Sequence, residues 1–365
     1  MDRRETEQLL EAIHQTRAAG RPAAMATIVR VMGSAYRREG TRMFVRQDGT
    51  YECALSGGCL EPAVAEAAKQ VIETGQPALV SYDLADDSLW GLGIGCMGAV
   101  EIRIERLEDE AITNTWLKIL EHEEAAVLIT PLSGTSGRMI VRDSGATVGA
   151  LSDPTIEQKA AAGAVLRLRH PSPESGVERI GAAELFFEVA APPPRLVIFG
   201  AGPDAVPLVQ LAYELGFAVT IVDPRETFLA PDRFPDATRV CAQPSEFADR
   251  VRVGASDFVL VMNHHVERDQ ESFRVSLESD AAYIGVLGPR ARYEKVLARL
   301  AAQGCVPDPG TLARVHSPVG LSVGAETPQE VAVSILGEIL AIRRRFEGGF
   351  LTGSMRSLHR PDDTR

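Results

Sequence analysis

The chain has 365 residues, 45% of them apolar, with 38 Lys plus Arg against 50 Asp plus Glu and a formal net charge of −12. That length exceeds one ordinary hydrophobic core and predicts two domains, while the acidic balance opposes a broad nucleic-acid surface, which needs the opposite sign. No apolar run approaches the ~18 residues of a membrane helix; the opening MDRRETEQLLEAIHQTRAAGR lacks the apolar core of a secretory signal, and the scattered Cys53, Cys59, Cys96, Cys241 and Cys305 make no disulfide framework, so the expected setting is a reducing cytoplasm, with no nucleic-acid and no membrane partner.

The segment to Ala18 has helical periodicity, and MATIVRV (residues 25–31) reads as a buried strand. TRMFVRQDGTYECALS alternates around Asp48-Gly49, a pair that tolerates positive φ and suits a tight hairpin turn. Leu60 to Thr74 is helical and closed by Gly75; strand-like PALVSYDL follows, then a glycine-rich loop, then AVEIRIERL as another strand. Residues 42–56 align without a gap to residues 138–152, with eight of 15 positions identical, which predicts a repeated strand-turn-strand-helix unit. The copies part at Gly57-Gly58-Cys59, where the second has Asp153-Pro154-Thr155, an ordinary start for the helical IEQKAAAGAVLRL. The connection itself therefore does not require two glycines and a thiol, and Cys59 becomes a candidate functional residue.

HPSPESG (170–176) reads as a surface loop and APPPR (191–195) as a stiff hinge. The fold class expected is α/β: an N-terminal α+β domain over residues 1–190 that contains the repeat, a C-terminal Rossmann-type parallel-sheet domain over 195–346, and a polar, flexible tail over 347–365. The second domain opens with RLVIFGAGPDAVPLVQLAYELGFAVTIVDPR, a strand, a G-x-G-x-x-A turn, a helix ended by Gly216, and a second strand closing on Asp223, 23 residues after Gly200. In such a βαβ unit Gly200 permits the sharp turn, Gly202 lets a pyrophosphate approach, Ala205 keeps helix and strand close, and Asp223 accepts from ribose hydroxyls. Arg225 leaves room for a 2′-phosphate. The strands DFVLVM and YIGVLG point their carboxyl ends at the same crevice, which makes His264, Gly288 and Arg290 candidate ligand contacts; for at least one of His264 and His265 a plain polar loop residue is the simpler reading. Thr327-Pro328-Gln329-Glu330 is a capping box that opens VAVSILGEILAIRRR, with Glu330 structural.

A second cysteine, Cys96, lies in GLGIGCMG between Gly95 and Gly98. The small residues Gly57 and Gly58 let successive amides before Cys59 point into one concavity, an anion-binding nest at a helix start. A thiol there ionises more easily than a free one, although Glu61 in the first turn limits the effect. Zinc sites show ligands paired at short spacing, which neither thiol has, and Cys53 fits a strand interior. A soft, thiophilic partner that carries phosphate fits thiol and nest together; the alternative, strongest for Cys96, is a small packing residue beside a tight turn.

The stretches ATIVRVMGSAYRREGTRMFV, SGGCLEPAV, DDSLWGLGIGCMG, VIFGAGPDAVPL, TIVDPR, YIGVLGPR and HSPVGLSVGAETPQEVAVSIL, in this order, resemble the XdhC/CoxI family, accessory factors of xanthine dehydrogenase and carbon monoxide dehydrogenase. The resemblance implies a maturation chaperone rather than an enzyme, one that binds molybdenum cofactor in its molybdopterin form, protects it during sulfuration and delivers it to an apo-molybdoenzyme. It carries Cys59 and Cys96 over as the motif cysteines, as molybdenum contacts or sulfur relays, and Gly200, Gly202 and Asp223 as the nucleotide-fold positions. Further partners it implies are a cysteine desulfurase, a molybdopterin nucleotidyltransferase and a second copy of the chain in a dimer. The segments Asn263-His264-His265 and Pro289-Arg290-Ala291 depart from the family's pattern. The crevice is expected to hold the pterin phosphate, a nucleotide extension or NAD(P). The alternative function is an NAD(P)-dependent oxidoreductase with its substrate between the domains.

Overall fold

A computed structural model describes residues 1–33, 35–84, 98–170 and 173–352, and the chain divides into two compact units, Met1–Pro192 and Pro193–Arg365. Among the described residues no helix is long and apolar enough to cross a membrane.

The first unit contains α1 (Arg3–Ala18), β1 (Ala23–Gly33), β2 (Arg42–Arg46), β3 (Tyr51–Glu52), α2 (Glu61–Thr74), β4 (Ala78–Asp83) and β5 (Gly98–Arg106). It continues with α3 (Ala111–Glu121), β6 (Ala126–Ser133), β7 (Gly137–Arg142), β8 (Thr147–Leu151), α4 (Pro154–Leu168), β9 (Gly176–Ile180) and β10 (Ala183–Ala190). Two antiparallel sheets result, with strand orders β3-β2-β1-β5-β4 and β8-β7-β6-β10-β9. The orders match term by term, so the repeat extends well past its identical residues and includes the helix before each sheet. The register agrees as well: Ala26 faces Met43 in one copy, and Ile129 faces Met139 in the other.

Local signals explain these elements. Both hairpins turn on a glycine in the left-handed region, Gly49 (φ 84°) and Gly145 (φ 83°), a conformation that costs glycine nothing. Asp2 and Glu5 form a capping box on α1, and α2 ends at Gly75 with φ 69°. Each sheet buries one face against its helix, Val64 and Ala68 of α2 against Ile28 and Ile102, and Ala160 and Ala164 of α4 against Ile129 and Phe187. Where the copies meet, Arg42 of the first is paired with Glu188 of the second, and Arg138 of the second with Glu105 of the first at 3.3 Å. Arg42 and Arg138 hold the same place in the repeat, as do Glu105 (opposite Met25) and Glu188 (opposite Leu128). The copies thus exchange ion-pair partners reciprocally. The Arg42 guanidinium also lies 5.6 Å over the Trp116 ring.

The second unit contains β11 (Arg195–Phe199), α5 (Ala205–Glu214), β12 (Ala218–Asp223), β13 (Ala237–Cys241), the single turn α6 (Phe247–Arg250), β14 (Phe258–Val261) and α7 (Val266–Glu278). It ends with β15 (Tyr283–Val286), α8 (Arg290–Ala302), the single turn α9 (Pro309–Leu312), β16 (Val315–His316) and α10 (Pro328–Arg344). The six strands are parallel in the order β13-β12-β11-β14-β15-β16. This is the doubly wound Rossmann order, whose switch point lies between the first and fourth strands, here β11 and β14. Helix α10 opens on the expected Thr327/Glu330 capping box and packs Ile335 and Ile339 into the core on the α5 side of the sheet.

Candidate functional site

Each unit carries one cluster of the residues singled out in the sequence. In the first unit the loop between β3 and α2 presents Gly57, Gly58 and Cys59. Gly58 has φ 107°, and a methyl group added at Gly57 or Gly58 would meet no atom of the described residues within 4 Å. The half-buried Cys59 thiol stands beside them. The amides expected to form a free anion nest are occupied differently: those of Gly58, Cys59 and Leu60 all point at Ser56 Oγ, each at 3.2 Å. The Cys59 thiol points at the same oxygen from 3.3 Å. Ser56 in turn donates to Glu61 Oε2 at 2.6 Å, and Glu61 Oε1 accepts from the amides of Leu55 and Ser56.

The second copy shows which of these contacts belong to the repeat and which to the thiol. Glu157, the equivalent of Glu61, likewise accepts from the Leu151 amide at 2.8 Å, so this glutamate is a staple of the fold. Helix α4 is capped by Asp153, whose carboxylate takes the amides of Thr155 and Ile156. With glycine at that place in the first copy, α2 has no side-chain cap, and Ser56 gathers the loop amides that precede the helix instead. Cys53 departs from the strand interior expected for it: it follows β3 with φ 61°, where the second copy has Gly149 at φ 79°. Its Sγ contacts the Glu5 carbonyl at 3.4 Å, and burial, with Glu5 and Glu52 adding, pushes the thiol up to about 11. Cys96 and Gly95 lie outside the described residues.

In the second unit Gly200, Gly202, Ala205, Asp223, Arg225 and His264 gather at the switch point. Gly200 has φ 116°, and a methyl group there would stand 2.4 Å from the Met262 carbonyl oxygen, so this glycine lets the first strand turn against the end of β14. Ala205 is fully buried at the start of α5. Asp223, expected to accept from ribose hydroxyls, is fully buried and already engaged. Its carboxylate takes the Ala201 amide at 2.8 Å, the Arg225 amide at 2.9 Å and two bonds from the Arg225 side chain at 2.8 Å each. Burial alone pushes this carboxyl up, but Arg225 and the two amides outweigh it and hold it below the ordinary range. Arg225 also stacks 3.6 Å from the Phe228 ring centre. Its guanidinium is therefore held by Asp223 and Phe228 rather than extended toward a 2′-phosphate.

The room beside Gly202 is filled by two side chains. Asp204 Oδ2 and His264 Nε2 are 2.6 Å apart, and a methyl group on Gly202 would lie 2.6 Å from Asp204 Oδ1 and 3.7 Å from His264 Cδ2. The hydrogen bond that His264 donates to Asp204 raises the His264 pKa against the opposing effect of burial. Arg233 closes the loop from the other side by donating to the Ala201 and Gly202 carbonyls. Asp204 thus brings a carboxylate to the glycine loop at the start of α5. Asp204 Oδ1 and Asn263 Oδ1 are buried without a hydrogen-bond partner among the described residues. His265 pairs with Glu267 at 3.0 Å on the surface and is the plain loop residue of the two histidines. Gly288, with φ 120°, ends β15, and Arg290 is 78% exposed, paired with Glu294 on its own helix at 3.0 Å. Sequence reasoning missed Asp204 and Arg233. Asp204 sits at an unnamed position of the glycine motif, where an acid at a helix start reads as an ordinary cap; in fact its side chain caps nothing.

Comparison with known proteins gives a consistent picture. Residues 196–339 match the XdhC Rossmann domain, and residues 16–83 match the XdhC and CoxI family. A probable xanthine dehydrogenase subunit of Bacillus subtilis (strain 168) is 32% identical over 328 residues, which is 88% of this chain and 94% of that protein. The molybdenum cofactor insertion chaperone PaoD of Escherichia coli (strain K12) is 24% identical over 327 residues, 89% of this chain and 85% of that protein. A crystal structure described as a xanthine dehydrogenase from Bacillus halodurans superposes with a TM-score of 0.76 at 30% identity, covering 95% of this chain and 98% of that one.

Proposed function

Because this chain belongs to the XdhC and CoxI family, we propose that it serves molybdoenzyme maturation by holding molybdenum cofactor as cargo and passing it to an apo-molybdoenzyme. The observation that carries the reading is the Cys59 loop. A soft sulfur donor stands half-buried beside two glycines with no atom of the described residues against them, and the second copy of the same fold has none of these three residues. The name of the PaoD relative, a molybdenum cofactor insertion chaperone, supports the same cargo.

In this reading Cys59 is the residue through which the chain meets the molybdenum, and Gly57 and Gly58 leave room for the bulk of the cofactor. Ser56 orients the thiol, and Glu61 fixes Ser56. Cys96 is a second sulfur for the same cargo. Protection during sulfuration requires a cysteine desulfurase to reach the held cofactor, and delivery requires the apo-enzyme to take it; a nucleotidyltransferase and a second copy of the chain complete the proposed partners. The oxidoreductase alternative loses support from Asp204, whose carboxylate lies beside Gly202 and would repel the phosphates of a nicotinamide dinucleotide at the start of α5.

The test incubates pure protein with molybdenum cofactor, separates it by gel filtration, and measures bound molybdenum and pterin together with activation of an apo-molybdoenzyme. Cys59→Ala is expected to lower retention and activation at least tenfold at unchanged melting temperature. Full retention and full delivery by that variant would remove the thiol from the mechanism.

A further inference from the structure

The glycine motif and the switch point predict a pyrophosphate cradle, yet three features of this chain work against one. The Ala201 amide, one of the loop donors a phosphate would use, is bound to Asp223 at 2.8 Å. The space that Gly202 leaves is taken by Asp204 and His264. Asp204 itself brings negative charge to the N-terminus of α5, where a phosphate would otherwise find a positive dipole end. His264 balances one carboxylate oxygen of Asp204, and the other, Oδ1, stays buried beside Gly202 without a partner among the described residues.

A buried polar atom without a partner costs free energy unless some ligand or water satisfies it. Among the described residues two such atoms belong to neighbours of the glycine loop, Asp204 beside Gly202 and Asn263 beside Gly200, and both atoms, Asp204 Oδ1 and Asn263 Oδ1, are acceptors. The amide orientation of Asn263 is fixed by its neighbours: Nδ2 donates to Asp269 Oδ1 at 3.2 Å and to Ser272 Oγ at 2.9 Å, which leaves the oxygen as the unmatched end. Ser272 Oγ spends its own proton on the Arg268 carbonyl. The site therefore asks for N–H donors and not for phosphate oxygens.

We propose that Asp204 sets the ligand class of this crevice: with Asn263 it accepts hydrogen bonds from the N–H edge of an amino-heterocycle, and it excludes dinucleotide phosphate from the glycine loop. The inference deepens the reading above and rests on it, because molybdenum cofactor offers such an edge in its pterin ring and, in a nucleotide-extended form, in cytosine. A carboxylate matches a ring amidine through two parallel bonds. Here one carboxylate oxygen and one amide oxygen share that task, with His264 holding the other carboxylate oxygen in place.

The experiment measures binding of three probes, free pterin, cytidine and NADH, to the whole chain and to its Asp204→Ala and Asp204→Asn variants by calorimetry. Cytidine carries no phosphate, so it separates the base from its usual charge. The wild type is expected to bind pterin or cytidine, and which of the two identifies the source of the edge. Both variants are expected to lose at least tenfold in that affinity and to gain at least tenfold for NADH. Asp204 caps no backbone group, so Ala is tolerated by the helix, and Asn preserves the shape if it is not. Wild-type protein that holds NADH and neither heterocycle, or NADH affinity unchanged in both variants, overturns the proposal. Loss of molybdenum retention in Cys59→Ala reads only the thiol loop, so failure of the cargo reading and failure of this one are distinguishable.

Discussion

Adjacent glycines in the thiol loop do different work, and the backbone separates them. Gly58 sits at φ 107°, where a side chain is strained whatever the space around it, whereas Gly57 has an unconstrained φ and open surroundings. Gly58→Ala is expected to lower unfolding stability by about 1–3 kcal/mol and Gly57→Ala by less than about 0.5 kcal/mol, as read by urea denaturation. Equal effects would mean that the loop is not held in the conformation described. The pair of His264 and Asp204 makes a pH prediction. Asp204 raises the folded pKa of His264; burial and Arg292 oppose it, and Asp269 adds to it. The stability from this pair is therefore complete below about 6.5, the unfolded histidine value, and fades as pH rises through the folded value. Asp204→Asn should bring the His264 titration measured by NMR down toward 6.5 or below it, and the stability difference between wild type and variant should shrink from pH 6 to pH 9. Parallel stability curves would assign the raised value to some other group.

Among elements, the reciprocal ion pairs between the two copies are the most consequential contact. Arg42 and Glu188 are 7% and 8% exposed, so removing one partner leaves a buried charge without compensation. Glu188→Leu or Arg42→Leu alone is expected to cost about 3–5 kcal/mol, while the double replacement costs much less than the sum, because two apolar side chains of similar volume can replace a buried pair. A double-mutant cycle in urea measures this, and additive losses would show that the pair is not coupled. The same region shows what the sequence could and could not reveal. The hairpin at residues 42–56 was legible because its identical residues, Arg42 and Gly49 among them, recur after a constant interval. The strands that complete each sheet were not, because β1 and β5 share with β6 and β10 little beyond a pattern of buried positions, which many different apolar residues satisfy. Edge strands were hidden for a related reason: β13 is largely exposed and β16 has two residues, too few to show alternation.

At the level of the whole chain, the Rossmann order of the second unit was readable from a few glycines, one acid and alternating strands, since these residues meet backbone requirements that nothing else meets. The chemistry of its crevice was less readable. Whether Asp223 is free depends on Arg225 folding back on it, and whether Gly202 leaves a void depends on where Asp204 and His264 turn their side chains; neither follows from spacing. The first unit leaves a different legacy. Each copy supplies an arginine that pairs with a glutamate of the other copy, so these four positions are tied across the duplication. The connection from hairpin to helix carries no such tie. In one half it is a plain cap, Asp153; in the other it holds two glycines and a sulfur, so one duplicated fold presents two chemically different loops.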